Sequence, residues 1–331
     1  LGEISGERLA ADHKVKNKGC FNCTLACSRY YVVGEHEAEG PEFETLCGFT
    51  SRIGSSDLGF ALEINRYLNQ VGMDSLSTCE VIGWLMECQQ RGLLSPDDVD
   101  GLSISWGDTD TVRQLVQMIA RREGIGDALA DGATRFASRF GEQARELVMQ
   151  VKGLDLICGD PRGIKAYGLT YAVASRGGDH LRAEPYFELT ERHDEARERF
   201  GTPAAADRLA EEGKAALVTW SERLALLTDC LTMCKNVGLC MDVLDFESAA
   251  GLLRSGTGVD YTAEELEQAM ADSVERDREL NRSFGVSEAD DTLPRRFVEE
   301  PLTAGPSAGS TVDIDRMVRE YHALKGRRRR R

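Results

Sequence analysis

The chain has 331 residues, 41% of them hydrophobic, and carries 56 acidic against 40 basic side chains for a formal net charge of −16. That length suits about two domains of roughly 150 residues each, and the apolar fraction is enough for a core, which excludes bulk disorder. The acidic balance argues against binding along a nucleic-acid backbone, which needs basic stripes. No stretch approaches the roughly 20 apolar residues of a membrane helix. Neither nucleic acid nor membrane is therefore an expected partner. The chain opens at Leu1 in a polar stretch, without Met and without the apolar segment of a signal peptide, and is expected to be a piece of a longer protein.

Helical signals dominate in chain order. Residues 57–68 place Leu58, Ala61, Leu62 and Leu68 on one face, and Gly72 stops the run. The spacing of Ser77 and Glu80 predicts a capping box that opens a helix through Val81, Trp84, Leu85 and Cys88 to Gly92. Asp108 or Asp110 caps the next helix, through Val112, Leu115, Val116 and Ile119 to Gly124. One amphipathic run is read over 127–140. Further helices are expected near 204–209, 214–233, 246–253, 263–284 and 313–324. Strand-like alternation is scarce, with 148–151 the best short case. The fold class is mainly α. A glycine-rich stretch from Gly153 onward places a boundary near 141–153, giving domains 1–149 and 150–331. Residues 301–310 read as a flexible loop, and Arg327–Arg331 as a solvated basic terminus.

The ten cysteines are unevenly placed. Cys20, Cys23 and Cys27 form a C-x2-C-x3-C triplet, and Cys230, Cys234 and Cys240 form a second, looser group. The chain is too long for a disulfide-stapled scaffold, so these groups read as metal ligands in a reducing, cytoplasmic compartment. A structural zinc site takes its ligands in two close pairs. A triplet with one remote thiolate suits a cubane iron–sulfur cluster better, with Cys230, Cys234 and Cys240 all open as the fourth ligand. Cys79, Cys88 and Cys158 lie among apolar residues and read as small hydrophobes. The stretches 69–74 and 235–240 also echo each other. Each has Val before Gly and each is read as a helix end with Gly at the stop.

Seven motifs stand in one order: the cysteine triplet, Gly40-Pro-Glu-Phe-Glu44, Gly72-Met-Asp74, residues 122–127, Asp160-Pro-Arg-Gly163, Arg176-Gly-Gly-Asp-His180 and Val237-Gly-Leu-Cys240. Together they resemble the C-terminal two-thirds of the aldehyde:ferredoxin oxidoreductase family of tungsten-pterin enzymes, well over residues 15–245 and loosely elsewhere. The resemblance implies the two helical domains 2 and 3 of that family, with its N-terminal β-rich, pterin-cradling domain absent. Without that domain the chain is expected not to hold the cofactor alone.

By the same resemblance, Cys20, Cys23, Cys27 and Cys240 would ligate a [4Fe–4S] cluster beside a tungsten, or molybdenum, bis-pterin centre. Asn69, Asp74, Lys235 and Leu239 would stand on the two pterin-binding turns. The family opens these turns with Asp; Asn69 can still accept a hydrogen bond there, whereas Lys235 cannot. Glu44 and His180 would be the acid–base pair, residue types suited to proton relay, with Glu42 and His193 as rivals. Glu63 stands where family members hold a metal between subunits. No histidine occupies the matching position near Gln114 or Gln117, so no bridging metal is expected, and a homodimer remains compatible.

The implied function is oxidation of a small aldehyde to its acid, with ferredoxin or a similar carrier as electron acceptor. Three alternatives stand beside it, the first two being a ring-reducing member like the benzoyl-coenzyme A reductase subunits and a non-catalytic iron–sulfur electron-transfer subunit. A zinc-stabilised helical module is the third.

Overall fold

The computed structural model describes residues 2–328, with side chains described to residue 325. The arginine tail, Arg327–Arg331, lies outside the residues whose side chains are described. The chain divides into two compact units, residues 1–149 and 150–331. Among the described residues, no helix is long and apolar enough to cross a membrane.

The first unit begins with α1 (Gly6–Asp12) and an antiparallel sheet of β1 (Lys14–Lys18), β2 (Ser28–Val33) and β3 (His36–Glu39) in that order. This sheet has no signal in the sequence, because β1 reads Lys-Val-Lys-Asn-Lys and its residues face solvent. The sheet is held by its one fully buried aromatic, Tyr31. Its hydroxyl donates to the Leu62 carbonyl (2.8 Å) and accepts from Asn65 Nδ2 (2.9 Å), both on α3 (Leu58–Val71). Asp57 caps α3 and Gly72, in the left-handed region, ends it, as its pattern predicts.

Between sheet and α3 comes α2 (Phe43–Gly48). After α3 comes α4 (Ser75–Gln90), and here the predicted capping box is corrected. Asp74 is the cap, its Oδ1 accepting from the Ser77 N–H at 2.7 Å, so Ser77 lies inside the helix and not before it. Asp108 caps α5 (Thr109–Arg121). The single run expected over 127–140 is broken into α6 (Ile125–Leu129) and α7 (Ala133–Ala137), because Gly132 turns the chain with φ 90°. A short α8 (Glu142–Glu146) closes the unit.

The core of this unit is apolar and continuous from Phe49 and Phe60 to Trp84, Leu115 and Phe136. Trp84 meets Phe136 edge-on at 5.6 Å and donates its indole N–H to the Ala144 carbonyl at 2.7 Å. The buried Glu80 is engaged on both oxygens, by Arg52 (2.8 Å) and by the Met149 N–H (3.0 Å), which meets the requirement that a buried charge be paired.

The second unit opens with a hairpin of β4 (Gln150–Val151) and β5 (Leu154–Asp155). It continues with α9 (Lys165–Val173), α10 (His193–Phe200) and α11 (Lys214–Cys230). One irregular turn, Asn236–Cys240, precedes α12 (Phe246–Thr257), α13 (Ala263–Ser283), α14 (Arg295–Glu299) and α15 (Ile314–Arg328). Helix α11 is the hub, packed on by α9, α13 and α15. The helix expected near 204–209 is only a single 3₁₀ turn at Pro203–Ala206. The loop expected to be flexible, 301–310, is closed by hydrogen bonds. Leu302 exchanges bonds with Gly309 and Ser310, and the Ser310 hydroxyl donates to the Arg162 carbonyl (2.7 Å).

The start of α9 is fixed by a buried ion pair. Lys214 and Glu188, both fully buried, stand 3.1 Å apart. Lys214 also donates to the carbonyls of Ala205 and Asp207, while Glu188 accepts the N–H of Ala166 (2.9 Å) and of Tyr167. A carboxylate at a helix N-terminus satisfies amides that have no intrahelical acceptor. Removing one partner of such a pair leaves the other charge uncompensated. Lys214→Met is therefore expected to cost about 3–5 kcal/mol, measured by urea denaturation of the native protein. Adding Glu188→Gln should recover part of the loss, and a single-variant cost near zero would contradict this account.

Candidate functional site

The cysteine triplet occupies the loop between β1 and β2. Asn22 (φ 56°) and Ala26 (φ 48°) take left-handed backbone, and the Cys23 N–H donates back to the Cys20 carbonyl at 3.1 Å. These tight reversals keep the thiols out of the core: Cys20 and Cys27 are exposed, Cys23 is half-buried, and all are free. Arg29 anchors the far end by donating to the Cys27 carbonyl at 2.8 Å. Among the described residues no three histidine, cysteine or acidic side chains converge closely enough to hold a single metal ion. The ligands of a cubane stand farther apart than those of one ion, and the donor chemistry of this loop, three accessible thiols on one short turn, fits a cluster.

Glu44 lies half-buried in the first turn of α2. That helix is fastened to α4 by Thr45, whose hydroxyl shares a hydrogen bond with Ser75 at 2.8 Å. Its rival Glu42 is exposed at the helix cap. Asn69 and Asp74 are both exposed, flanking Gly72; Asp74 has one oxygen on Ser77 and presents the other to solvent. Glu63 pairs with Arg113 at 3.0 Å.

In the second unit His180 ends the Arg-Gly-Gly-Asp-His motif, whose glycines are explained by close approach. The Gly178 N–H donates to the Val151 carbonyl at 3.0 Å. A Cβ there would meet Leu156 Cδ2 at 2.6 Å and the Leu154 carbonyl oxygen at 2.7 Å. The loop thus lies directly on the β4–β5 hairpin. Asp179 is buried, accepts the Leu181 N–H (2.9 Å) and pairs with Arg176 at 3.0 Å. The His180 ring stacks on Tyr167 at 6.4 Å, and its Nε2 stands 3.7 Å from Glu184 Oε2. Glu184 in turn accepts the Tyr167 hydroxyl at 2.7 Å. The rival His193 is exposed on α10, beside the Pro203 carbonyl.

The second echo turn departs from expectation. Its glycine does not end a helix: α11 stops at Cys230, and 236–240 wind as one wide π turn in which Gly238 takes helical backbone. Gly238 is needed because a Cβ would meet Thr228 Cγ2 at 2.5 Å. The two stretches therefore share letters without sharing a conformation. Lys235 donates to Asp229 (2.7 Å) and to the Ala225 carbonyl (3.0 Å), so its ammonium is engaged with the end of α11. Leu239 is buried, and Cys240 is half-buried beside it. Both line a cavity of about 110 Å³ with Glu184, Arg192 and Trp220. Burial, with Glu184 adding to it, pushes the Cys240 thiol up to about 12.

Within this unit, then, His180, Lys235, Leu239 and Cys240 gather around two residues that sequence analysis missed, Tyr167 and Glu184. The one available signal was the Glu four residues after His180. Of the remaining cysteines, Cys79 and Cys88 are fully buried as expected, and burial pushes both thiols up to about 12.

The sequence matches the family described as aldehyde ferredoxin oxidoreductase, domains 2 and 3, over residues 2–329. It is 33% identical over 330 residues to the tungsten-containing aldehyde ferredoxin oxidoreductase of Pyrococcus furiosus, covering 98% of this chain and 52% of the relative. It is 30% identical over 329 residues to the protein of that name from Thermococcus kodakarensis, with the same coverage. The chain spans about half the length of these relatives, not two-thirds. An aliphatic sulfonate oxidoreductase, WOR-like subunit, from Pyrococcus furiosus is 26% identical over 171 residues, 48% of this chain and 27% of that one. Among solved structures, the active site complex BamBC of benzoyl coenzyme A reductase, in complex with 1,5-dienoyl-CoA, shares the fold with TM-score 0.73 at 20% identity. That match covers 97% of this chain and 51% of the other.

Two expectations follow from the packing. Gly238→Ala should destabilise the native protein by about 1–3 kcal/mol, as overpacking does, with Thr228→Ser in the same chain relieving part of it; equal stability of wild type and Gly238→Ala in urea would refute the contact. Iodoacetamide should leave Cys79 and Cys88 unmodified until the protein is unfolded, as read by peptide mass spectrometry, since the thiolate is the reactive form.

Proposed function

Because the chain belongs to the aldehyde ferredoxin oxidoreductase family, as its domains 2 and 3, we propose that it is part of an oxidoreductase. That enzyme converts a small aldehyde to a carboxylic acid and passes the electrons to ferredoxin or a similar carrier. The observation that carries this reading is the identity of 33% spread over 98% of the chain to a protein named for that reaction. The structural likeness to the benzoyl coenzyme A reductase complex rests on 20% identity and bears on fold alone.

The roles divide by residue chemistry. Cys20, Cys23, Cys27 and Cys240 would hold the [4Fe–4S] cluster, the first three from a loop that already presents its thiols. Asn69 and Asp74 would meet a pterin with acceptor oxygens, and Leu239 with an apolar wall. Lys235 does not fit as an acceptor, since it is a donor engaged by Asp229. When bound, the tungsten- or molybdenum-pterin centre would supply the two-electron redox chemistry and the cluster the one-electron exit.

What the chain's own side chains do is handle protons. Oxidation of an aldehyde to its acid takes an oxygen from water and releases protons along with the electron pair. Glu44, a half-buried carboxylate on a short anchored helix, and His180, whose ring lies against Tyr167 and faces Glu184, are the acceptors we assign to that task.

The test is expression of the full-length parent with tungstate, followed by metal analysis and dye-linked aldehyde oxidation. Tungsten, iron and sulfide with aldehyde turnover are expected. His180→Gln should lower kcat by about 100-fold or more. Metal-loaded protein that oxidises no aldehyde refutes the substrate; iron and sulfide without tungsten or molybdenum point to an electron carrier, and zinc alone to a structural module.

A further inference from the structure

We propose that Glu184, itself held by Tyr167, is the positioning residue that fixes the ring of His180. The inference rests on the proton-handling role given to His180 above and extends it to a pair of residues that neither the motifs nor the relatives' names point to.

The backbone brings the two side chains together. The N–H groups of Ala183 (3.2 Å) and Glu184 (2.7 Å) both donate to the His180 carbonyl, so the chain curls back within four residues. Glu184 completes the curl with φ 43°, a left-handed conformation that a residue bearing a Cβ adopts only when its surroundings require it. Its side chain is then 11% exposed, with one oxygen hydrogen-bonded and the other turned to the imidazole. Oε1 accepts the Tyr167 hydroxyl at 2.7 Å, and Oε2 faces His180 Nε2 at 3.7 Å. Tyr167 acts twice, because its ring also stacks on the imidazole at an interplanar angle of 28°.

The other groups facing the ring are already engaged. Asp179 Oδ1, 4.0 Å from Nδ1, accepts the Leu181 N–H, and the same carboxylate pairs with Arg176. Lys235, which also bears on Glu184, is paired with Asp229. Of the ring nitrogens, Nε2 is therefore directed by Glu184, whereas Nδ1 is buried without a hydrogen-bond partner. A carboxylate facing one ring nitrogen sets the orientation and the tautomer of the imidazole. Burial raises the Glu184 carboxyl above its ordinary range, with His180 opposing that rise.

Three variants of the full-length parent test this: Glu184→Gln, Glu184→Asp and Tyr167→Phe. The first keeps shape but removes the charge facing Nε2, the second keeps the charge on a shorter arm, and the third removes the hydroxyl that holds Oε1. Carbethoxylation of His180 by diethyl pyrocarbonate at fixed pH, followed by peptide mass spectrometry, reads the freedom of the ring without any turnover. We expect its rate to rise several-fold in Glu184→Gln and in Tyr167→Phe. In dye-linked aldehyde oxidation we expect kcat to fall by about 100-fold in Glu184→Gln with KM changed less than about twofold, and Glu184→Asp to recover part of kcat. Unchanged carbethoxylation in folded variants overturns the proposal, as does a rise in KM alone. If Glu184→Gln does not fold, Tyr167→Phe decides by the same readouts. If the parent oxidises no aldehyde, the reaction assigned above fails while the carbethoxylation rates still decide the role of Glu184.

Discussion

A single buried ion pair sets the geometry of the second unit. Glu188 and Lys214 have no exposed surface, and each is satisfied beyond the other. Glu188 accepts two amides at the start of α9, and Lys214 donates to two carbonyls of the preceding turn. Burial raises the carboxyl and lowers the ammonium, with each partner opposing the other's shift. A hydrophobic pair of equal volume could be as stable, because desolvation offsets much of the attraction. What an apolar pair could not do is select one register for α9. The carboxylate accepts from Ala166 and Tyr167, and that choice directs the Tyr167 ring and hydroxyl toward His180 and Glu184. Fold and candidate site are thus joined through one helix start.

The first unit solves a different problem with the same economy of polar groups. Its cysteine triplet lies on a loop, and a loop needs a rigid base to hold any fixed geometry. The base is the small sheet, and the sheet is pinned by Tyr31 and Asn65 against α3. Behind that helix the core from Phe49 to Trp84 is closed by two directed bonds, the Trp84 indole to Ala144 and Glu80 to Met149. In both units, then, buried polar contacts orient the elements, while apolar burial supplies the bulk of the stabilisation.

The long helices were legible because their signals are local. The apolar spacing of α3, with Asp57 before it and Gly72 after it, and the Asp108 start of α5 needed nothing from the rest of the chain. The break at Gly132 is local, but most of the misses come from contacts distant in sequence. The strand β1 has no apolar face and exists only through pairing with β2. The wide turn at 236–240 looked like a helix end by its letters, yet its glycine answers to Thr228, on another element. Ser77 looked like a cap because Glu80 follows three residues later, but Glu80 is drawn into the core by Arg52 and Met149. Among the candidate site residues, Cys20, Cys23 and Cys27 were proposed from their spacing and His180 from its motif. Glu184 and Tyr167 carried no motif, since their relation is a hydrogen bond across 17 residues.

The thiols supply the last step. Two of the ten cysteines, Cys79 and Cys88, behave as core hydrophobes, with burial holding the proton on sulfur. The triplet is placed in the opposite way, on a loop that turns through left-handed residues and leaves Cys20 and Cys27 open to solvent. Exposed thiols are open to oxidation, and packing explains none of these three, since none contributes to the apolar core. The ligand role proposed for them would need what an anchored turn offers, reach toward an inorganic group and a stiff backbone.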